Sequence, residues 1–438
     1  MIDLPQDFLT DIREILKEEF DEFYSSYSLP AQKGFRINPY KRSDFDLTEF
    51  ADGKIPYVQN GYYTLKTDLG STPFHHGGGI YMQEPSAMFP SSVLAPDKGA
   101  KVLDMCAAPG GKSGQLAEMI GKDGVLVSNE IFTDRCKILL GNVERMGYPN
   151  VVVTCLAPKD IAKNLAGWFD YVLVDAPCSG EGMFRKNPEA ISEWSKANVL
   201  TSAERQIEIL KEAAKCVKQG GKIVYSTCTF SIEENERTVE EFLRSGDFEL
   251  IEIPKENGVV AGLDTNGYTA RLYPHRLRGE GHFTALFKRI TPSEETKPVK
   301  VLKPLNAEQK KAVREFADGT LKILPDVYEY NGTLVIPPKI LPPITKAMRY
   351  GVKVGDVEKR LIPHHQFFSA YSDLFERKIN LNLDDDRVNA YLHGEEIETD
   401  LKNGWCVVAI EGLAIGGGKV TDGRAKNHYP KGLRTKKS

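Results

Sequence analysis

An α/β fold built on a doubly wound, mostly parallel sheet is what this sequence predicts, and three observations predict it. From Ala100 onward, short β-branched-rich runs alternate with helical patterns, as strands joined by helical crossovers do. A glycine-rich turn, Met105-Cys106-Ala107-Ala108-Pro109-Gly110-Gly111-Lys112, separates the first of these strands from the first of these helices. Two cysteines, Cys178 and Cys228, each sit just past an apolar run, Tyr171 to Val174 and Lys222 to Tyr225. Ligands bind at the carboxyl ends of the strands in open α/β sheets, so thiols delivered there point to chemistry rather than packing.

Taken in order, Gln6 to Ser25 reads as a helix, followed by an irregular stretch containing Gly34-Phe35-Arg36-Ile37-Asn38-Pro39. Strands are expected near residues 100–104, 124–129, 150–155, 171–175, 222–227 and 248–253, with a last one from His282 to Lys288. The helix after the first strand spans Ser113 to Ile120, with Leu116, Met119 and Ile120 on one face and Gly121 closing it. Small residues at 107, 108, 110 and 111 let the backbone approach a nucleoside. Glu130 follows the second strand about twenty residues after the glycines, the spacing at which an acid meets ribose hydroxyls. Neither G-x-G-x-x-G nor G-x-x-x-x-G-K-[ST] occurs, so NAD and ATP fit poorly. Further helices are expected over Thr133 to Met146 and Ala203 to Val217. Ser231-Ile232-Glu233-Glu234 matches a capping box opening a helix from Ile232 to Arg244; Cys228 then lies just before a helix N-terminus, where positive dipole charge favours a thiolate.

A length of 438 residues with 41% hydrophobic composition allows two or three domains with proper cores. Seven cysteines without a C-x-x-C pair indicate neither a disulfide framework nor a zinc site, and a reducing, cytoplasmic setting is expected. The start of the chain is acidic and no run of eighteen apolar residues occurs, so export and membrane insertion are not expected. No H-E-x-x-H pattern occurs; His75-His76 and His364-His365 read as loop or packing residues, and no metal is expected. Net charge is −4, yet Gly416 to Ser438 carries seven Lys and Arg against Asp422. That asymmetry reads either as a solvated terminus or as a local basic surface for RNA; Tyr429, Pro430 and Gly432 among the charges favour the surface.

Several motifs in one order carry a resemblance. They are Asp104 to Ser113, Asp175 to Pro188 (DAPCSGEGMFRKNP) and Tyr225 to Glu236 (YSTCTFSIEENE), with Tyr81 to Met88, Arg271 to His275, Gly279 to Phe283 and Lys426 to Arg434. With these the chain resembles the Nol–Nop–Sun family of S-adenosylmethionine-dependent RNA cytosine-5 methyltransferases, and within it the bacterial RsmF-like ribosomal RNA branch. The resemblance implies a Rossmann-like methyltransferase fold of seven strands, the last antiparallel, with Asp104 and Asp175 on opposite sides of one crevice. It also implies an N-terminal RNA-binding extension (1–95), a catalytic domain (96–290), a linker (291–300), an intermediate region (301–375) and a PUA-like RNA-binding domain (376–438). S-adenosylmethionine is the implied cofactor and ribosomal RNA of the small subunit the implied partner, with the chain acting as a monomer. Transfer RNA methylation and a non-catalytic assembly factor are the alternatives; a DNA cytosine-5 methyltransferase is disfavoured because Thr227-Cys228 accompanies the Pro177-Cys178 pair.

The resemblance assigns residues as well. Carbon 5 of cytosine becomes nucleophilic when a thiolate adds to carbon 6. Cys228 is implied as that nucleophile, Cys178 as the residue assisting release, Lys112 as an active-site lysine, and Asp175 as a buried carboxyl able to hold a proton at the ring nitrogen. Cys106, Ala107, Ala108, Pro109, Gly110, Gly111, Lys112, Glu130, Arg135 and Asp175 are expected at the cofactor. Arg36, Gln83, Arg185, Lys186, Lys426, Lys431 and Arg434 are expected at RNA. The bland readings are a buried small hydrophobe for any cysteine, a turn residue for Asp175, and surface charges for the rest. Many family members read the adenine amino group with an Asp after the third strand; here the run is Thr154 to Asp160, and Asp160 falls about three positions late, so backbone around Ala157 is expected to substitute.

Overall fold

The computed structural model describes residues 3–435. Lys101–Asp104 (β1), Val125–Asn129 (β2), Val151–Thr154 (β3), Phe169–Asp175 (β4) and Val217–Thr227 (β5) run parallel in the spatial order β5-β4-β1-β2-β3. Phe248–Ile251 (β6) and His282–Arg289 (β7) complete a seven-stranded core, with β7 antiparallel to both β5 and β6. Both faces of the sheet are covered, which is why its strands read as nearly continuous apolar runs: Leu103, Val127, Val152 and Val172 pack on one side, Val102, Leu126, Val153 and Leu173 on the other.

The crossover helices that position the site are Gly111–Ile120 (α1), Thr133–Met146 (α2), Lys196–Cys216 (α3) and Glu236–Leu243 (α4). In α2, Cys136, Leu139, Val143 and Met146 recur every three to four residues and are buried, and Gly147 at φ 70° closes the helix. α1 buries Leu116 and Ile120 but leaves Met119 partly exposed. α3 starts seven residues ahead of the expected position because Ser195 Oγ accepts the Asn198 N–H as an N-cap, and its first two turns bury only Val199. The predicted N-terminal helix is two, Gln6–Leu16 and Phe20–Ser26, broken where Lys17 adopts φ 50°.

α4 begins at Glu236 rather than Ile232. Ser231 Oγ does accept the Glu234 N–H at 3.4 Å, but the Glu234 carboxylate turns to Ser179 and Gln206 instead of closing a capping box. The helix end expected beside Cys228 is therefore not supplied by α4.

Two additions to the sheet were not legible. A short antiparallel pair, Val260–Ala261 with Ala270–Leu272, extends the β7 edge, and Ala347–Tyr350 (β8), from well beyond the linker, pairs antiparallel with β3 at the opposite edge. Around this sheet stand a three-stranded N-terminal sheet centred on Gly34–Ile37, a four-stranded sheet from Tyr328–Tyr330 to Leu361–Pro363, and a five-stranded C-terminal sheet. The basic C-terminal stretch is not a frayed end: it forms strands Leu413–Thr421 and Arg424–Asn427 of the five-stranded sheet. Lys436 and Lys437 lie outside the described residues. No helix among the described residues is long and apolar enough to cross a membrane.

Candidate functional site

Pairing of β4 with β5 sets Asp175 opposite Ser226, and the turns that follow deliver Cys178 and Cys228 side by side. Their Sγ atoms stand 3.2 Å apart as free thiols. The two turns are fastened to each other through Ser179 Oγ and Thr229 Oγ1 at 2.9 Å. Thr227 Oγ1 donates to Asn235 Oδ1 at 2.6 Å, and Asn235 Nδ2 donates to the Thr229 carbonyl at 3.0 Å. Glu234 accepts the Ser179 N–H at 3.0 Å and Gln206 Nε2 at 2.7 Å, while Gln206 also donates to the Pro177 carbonyl at 2.8 Å. The hydrogen bond to Cys228, added to burial, pushes the Cys178 thiol well up. Cys178 thus keeps its proton, and the two sulfurs share one contact in which either can be the donor.

Lys112, in the first turn of α1, donates from Nζ to Asp175 Oδ2 at 2.7 Å, and Ser226 Oγ donates to Oδ1 at 2.7 Å. His282 Nε2 approaches Oδ1 at 3.5 Å without forming a hydrogen bond. Burial pulls the Asp175 carboxyl up, but Lys112 and then His282 hold it well below the usual carboxylate range. Asp175 is therefore an anion at neutral pH in the free protein, not the proton-holding acid expected. Burial would lower the Lys112 ammonium, and Asp175 outweighs it, so the lysine stays charged.

A cavity of about 890 Å³ opens in front of these strand ends, with Cys178, Cys228 and Asp175 in its lining. Cys106, Ala108, Glu130, Arg135, Ala157 and Pro158 line it too. Ala107, Pro109, Gly110 and Gly111 instead shape the turn: the Ala107 N–H donates to the Asn129 carbonyl at 2.8 Å, the Pro109 carbonyl accepts Asn142 Nδ2 at 2.9 Å, and Gly110 adopts φ 116°. Arg135 Nη2 donates to the Ala108 carbonyl at 3.0 Å. Glu130 is buried; its Oε1 accepts the Phe132 N–H at 3.1 Å, and its Oε2 lies 3.4 Å from Arg135 without a hydrogen bond. Burial pushes the Cys106 thiol up. Asp104 does not reach the crevice: it is buried beneath it, accepts Ser113 Oγ at 2.6 Å, and burial pushes it up to about 7. Asp160 is exposed and outside the lining, whereas Ala157 is inside it.

Three residues expected at RNA are spent inside the protein. Arg36 is 0% exposed; it bridges to Glu118 at 3.2 Å, donates to the Gly111 carbonyl at 2.8 Å, and also donates to Gln83 Oε1. Gln83, held there, donates onward to the Ala87 carbonyl at 3.0 Å. Arg185 is enclosed, with Glu280 at 2.6 Å and the Ser26 and Gly279 carbonyls at 2.9 and 3.0 Å. Each is directed by these bonds to carboxylate, amide or main-chain oxygens inside the protein rather than to a phosphate. Lys186 is half-buried, Lys426 and Lys431 are exposed, and Arg434 donates to the Tyr429 carbonyl at 3.2 Å. Lys419 and Lys426 sit directly opposite each other on adjacent strands. Two like charges at that register are unfavourable unless an anion lies over them.

Sequence reasoning missed Asn129, Gln206, Glu234, Asn235 and His282. Glu234, Asn235 and His282 lie within motifs already singled out, and Asn129 precedes Glu130 directly, so their neighbourhood was the available signal. Gln206 sits mid-helix with none.

Residues 91–288 match the model of 16S rRNA methyltransferase RsmB/F, residues 4–85 the N-terminal domain of 16S rRNA methyltransferase RsmF, and residues 378–435 the methyltransferase RsmF PUA domain. Ribosomal RNA small subunit methyltransferase F of Aliivibrio fischeri (strain MJ11) is 30% identical over 466 residues, covering 98% of this chain and 97% of that protein. Its namesake from Aliivibrio salmonicida (strain LFI1238) is 31% identical over 463 residues, at 98% and 97% coverage. Among solved structures, a methyltransferase homolog protein from Pyrococcus horikoshii aligns with a TM-score of 0.57 and 28% identity over 65% of this chain and 95% of that one. NSun6 from Pyrococcus horikoshii, solved with SFG, aligns with a TM-score of 0.59 and 21% identity over 66% and 98%, a likeness of fold. S-adenosylmethionine is the cofactor of this methyltransferase fold, and the residues present fit it. Buried Glu130 Oε2 lacks a hydrogen-bond donor, as a ribose-binding carboxylate would, and apolar Ile131, Phe132, Ala157 and Pro158 line the same cavity.

Proposed function

Because the chain belongs to the RsmB/F family of 16S rRNA methyltransferases, we propose that it methylates carbon 5 of a cytosine in small-subunit ribosomal RNA through a covalent adduct between Cys228 and carbon 6. The observation that carries this reading is the pair of free thiols, 3.2 Å apart, in one cavity with Asp175, to which Lys112 donates. Glu130 and the loop from Cys106 to Gly111 hold the cofactor, which when bound supplies the sulfonium methyl that carbon 5 takes.

Cys228, its proton having passed to water, adds as thiolate to carbon 6, and the electron pair of the 5,6 double bond shifts through carbon 4 to the ring nitrogen, which takes a proton from water, leaving carbon 5 enamine-like. Asp175, already an anion, accepts a hydrogen bond from the cytosine edge once the ring nitrogen carries that proton. Lys112 keeps Asp175 ionised and oriented. After methylation the carbon 5 proton passes to water, its electron pair restores the 5,6 double bond, and Cys228 leaves as thiolate. An S–H at Cys178 stabilises that leaving sulfur across the 3.2 Å separation of the two thiols. A cytosine reaches Cys228 only when unstacked, so a loop or exposed strand is the target.

The test is methylation by the purified protein of 16S RNA, 30S subunits and transfer RNA, followed by nucleoside mass spectrometry. The reading expects 5-methylcytidine in small-subunit RNA. A methyl group on another base, or on transfer RNA alone, contradicts it.

A further inference from the structure

A second cavity, of about 380 Å³, adjoins the first: Cys178 and Arg205 line both. It lies between the turn after Cys178 and the start of α3, in the size range of small-ligand sites. Neither the cofactor nor the thiol chemistry accounts for it. Asn187, Asn198 and Ser202 in its lining offer amides and a hydroxyl, and Glu193 is its one carboxylate. Arg205 is exposed, and neither it nor Ser202 has an ion-pair or hydrogen-bond partner among the described residues.

A target base held over the thiols is one link of a strand, so its neighbour must occupy space that adjoins the thiols. The second cavity is such a space, and amide and hydroxyl groups match the edges of a splayed base while a free guanidinium matches a phosphate. The geometry points to this cavity as the subsite for the nucleotide next to the target cytosine, with Arg205 on the phosphate between the two. This inference rests on the RNA methylation proposed above.

The experiment measures KM for RNA with labelled S-adenosylmethionine, using 16S transcript or 30S subunits, for Arg205→Glu, Ser202→Trp and, as a charge control on the separate helix Ala307–Ala317, Lys310→Glu. Arg205→Glu is expected to raise KM about tenfold or more and to lower the salt slope of RNA binding by about one. Ser202→Trp, which fills the cavity without a charge change, is expected to raise KM comparably. Calorimetry should find S-adenosylmethionine affinity within about twofold of wild type in Ser202→Trp, whose side chain lines the second cavity alone. Arg205→Lys, which keeps the charge, should recover most of the lost affinity and shows that the fold tolerates substitution there. The inference is overturned by a normal KM in either Arg205→Glu or Ser202→Trp, by an equal rise in Lys310→Glu, or by weakened cofactor binding in Ser202→Trp. Absence of RNA methylation by the wild type is a different failure, that of the underlying reading.

Discussion

Replacing Arg36 by alanine should destabilise the protein by about 3–5 kcal/mol, the loss expected when one partner of a buried ion pair is removed and the other charge is stranded. The side chains of Arg36 and Glu118 are 0% and 5% exposed, and the guanidinium makes contacts of 3.3 and 3.2 Å to Glu118 and 2.8 Å to the Gly111 carbonyl. After truncation Glu118 keeps Asn60 Nδ2 at 2.9 Å and the Tyr148 hydroxyl at 2.6 Å, which places the effect at the lower end, about 3 kcal/mol. Urea unfolding followed by circular dichroism reads this as a lowered midpoint, compared between variants rather than extrapolated because several domains are present. Arg36→Met combined with Glu118→Gln removes both charges and should recover at least half of the loss. Because Arg36 grips Gly111, cofactor affinity should fall with stability. A midpoint shift worth less than about 1 kcal/mol, with RNA binding as the main casualty, would refute the reasoning and return Arg36 to the RNA surface.

Glu130→Ala should weaken S-adenosylmethionine binding by about 1.5–3 kcal/mol, the scale of a charge-assisted hydrogen bond; unchanged affinity by calorimetry in a folded variant removes Glu130 from the site. Asp104 is raised from 3.8 to about 7, so the folded state binds the extra proton and stability falls as pH rises between those values. Asp104→Asn should flatten that decline, gaining on the order of 4 kcal/mol over wild type by pH 8 and little near pH 4; parallel stability–pH curves for the two proteins contradict the assignment. Lys419→Gln, Lys426→Gln and Lys431→Gln together should lower RNA affinity and reduce its salt slope by up to about three, with cofactor binding intact; filter binding across salt concentrations checks it. Deleting the segment instead would remove two strands of the five-stranded sheet and test folding, not charge.

The sheet was legible because strands buried on both faces must be apolar: six of β1 to β7 lie near where their apolar runs place them, whereas β5 starts five residues early, at Val217, through the exposed Lys218, Gln219 and Gly220. The loop 105–112 and the cysteines past β4 and β5 were legible because glycine and thiol at strand ends have few other uses. Side-chain destinations were not. Arg36 and Arg185 look like RNA contacts in a motif, and only tertiary packing brings Glu118 and Glu280, 82 and 95 residues away, against them. The capping box failed for the same reason: Ser231 does its local part, but Glu234 has a better partner in Gln206, contributed by another helix. β8 escaped notice because Ala347–Tyr350 is short and pairs with a strand nearly two hundred residues earlier, a contact that no local pattern encodes.

The central claim, that the two thiols are unequal and act in sequence, is tested most directly by incubating cysteine variants with RNA and S-adenosylmethionine and resolving the products on a denaturing gel. Cys178→Ala should accumulate RNA covalently attached to Cys228, because addition and methylation proceed while release stalls. Cys228→Ser should show no adduct and no turnover, since a hydroxyl far less acidic than a thiol is a poor nucleophile towards carbon 6, and the double variant should show none either. An adduct with Cys228→Ala but not with Cys178→Ala would exchange the roles, and normal turnover in both single variants without any adduct would contradict covalent catalysis.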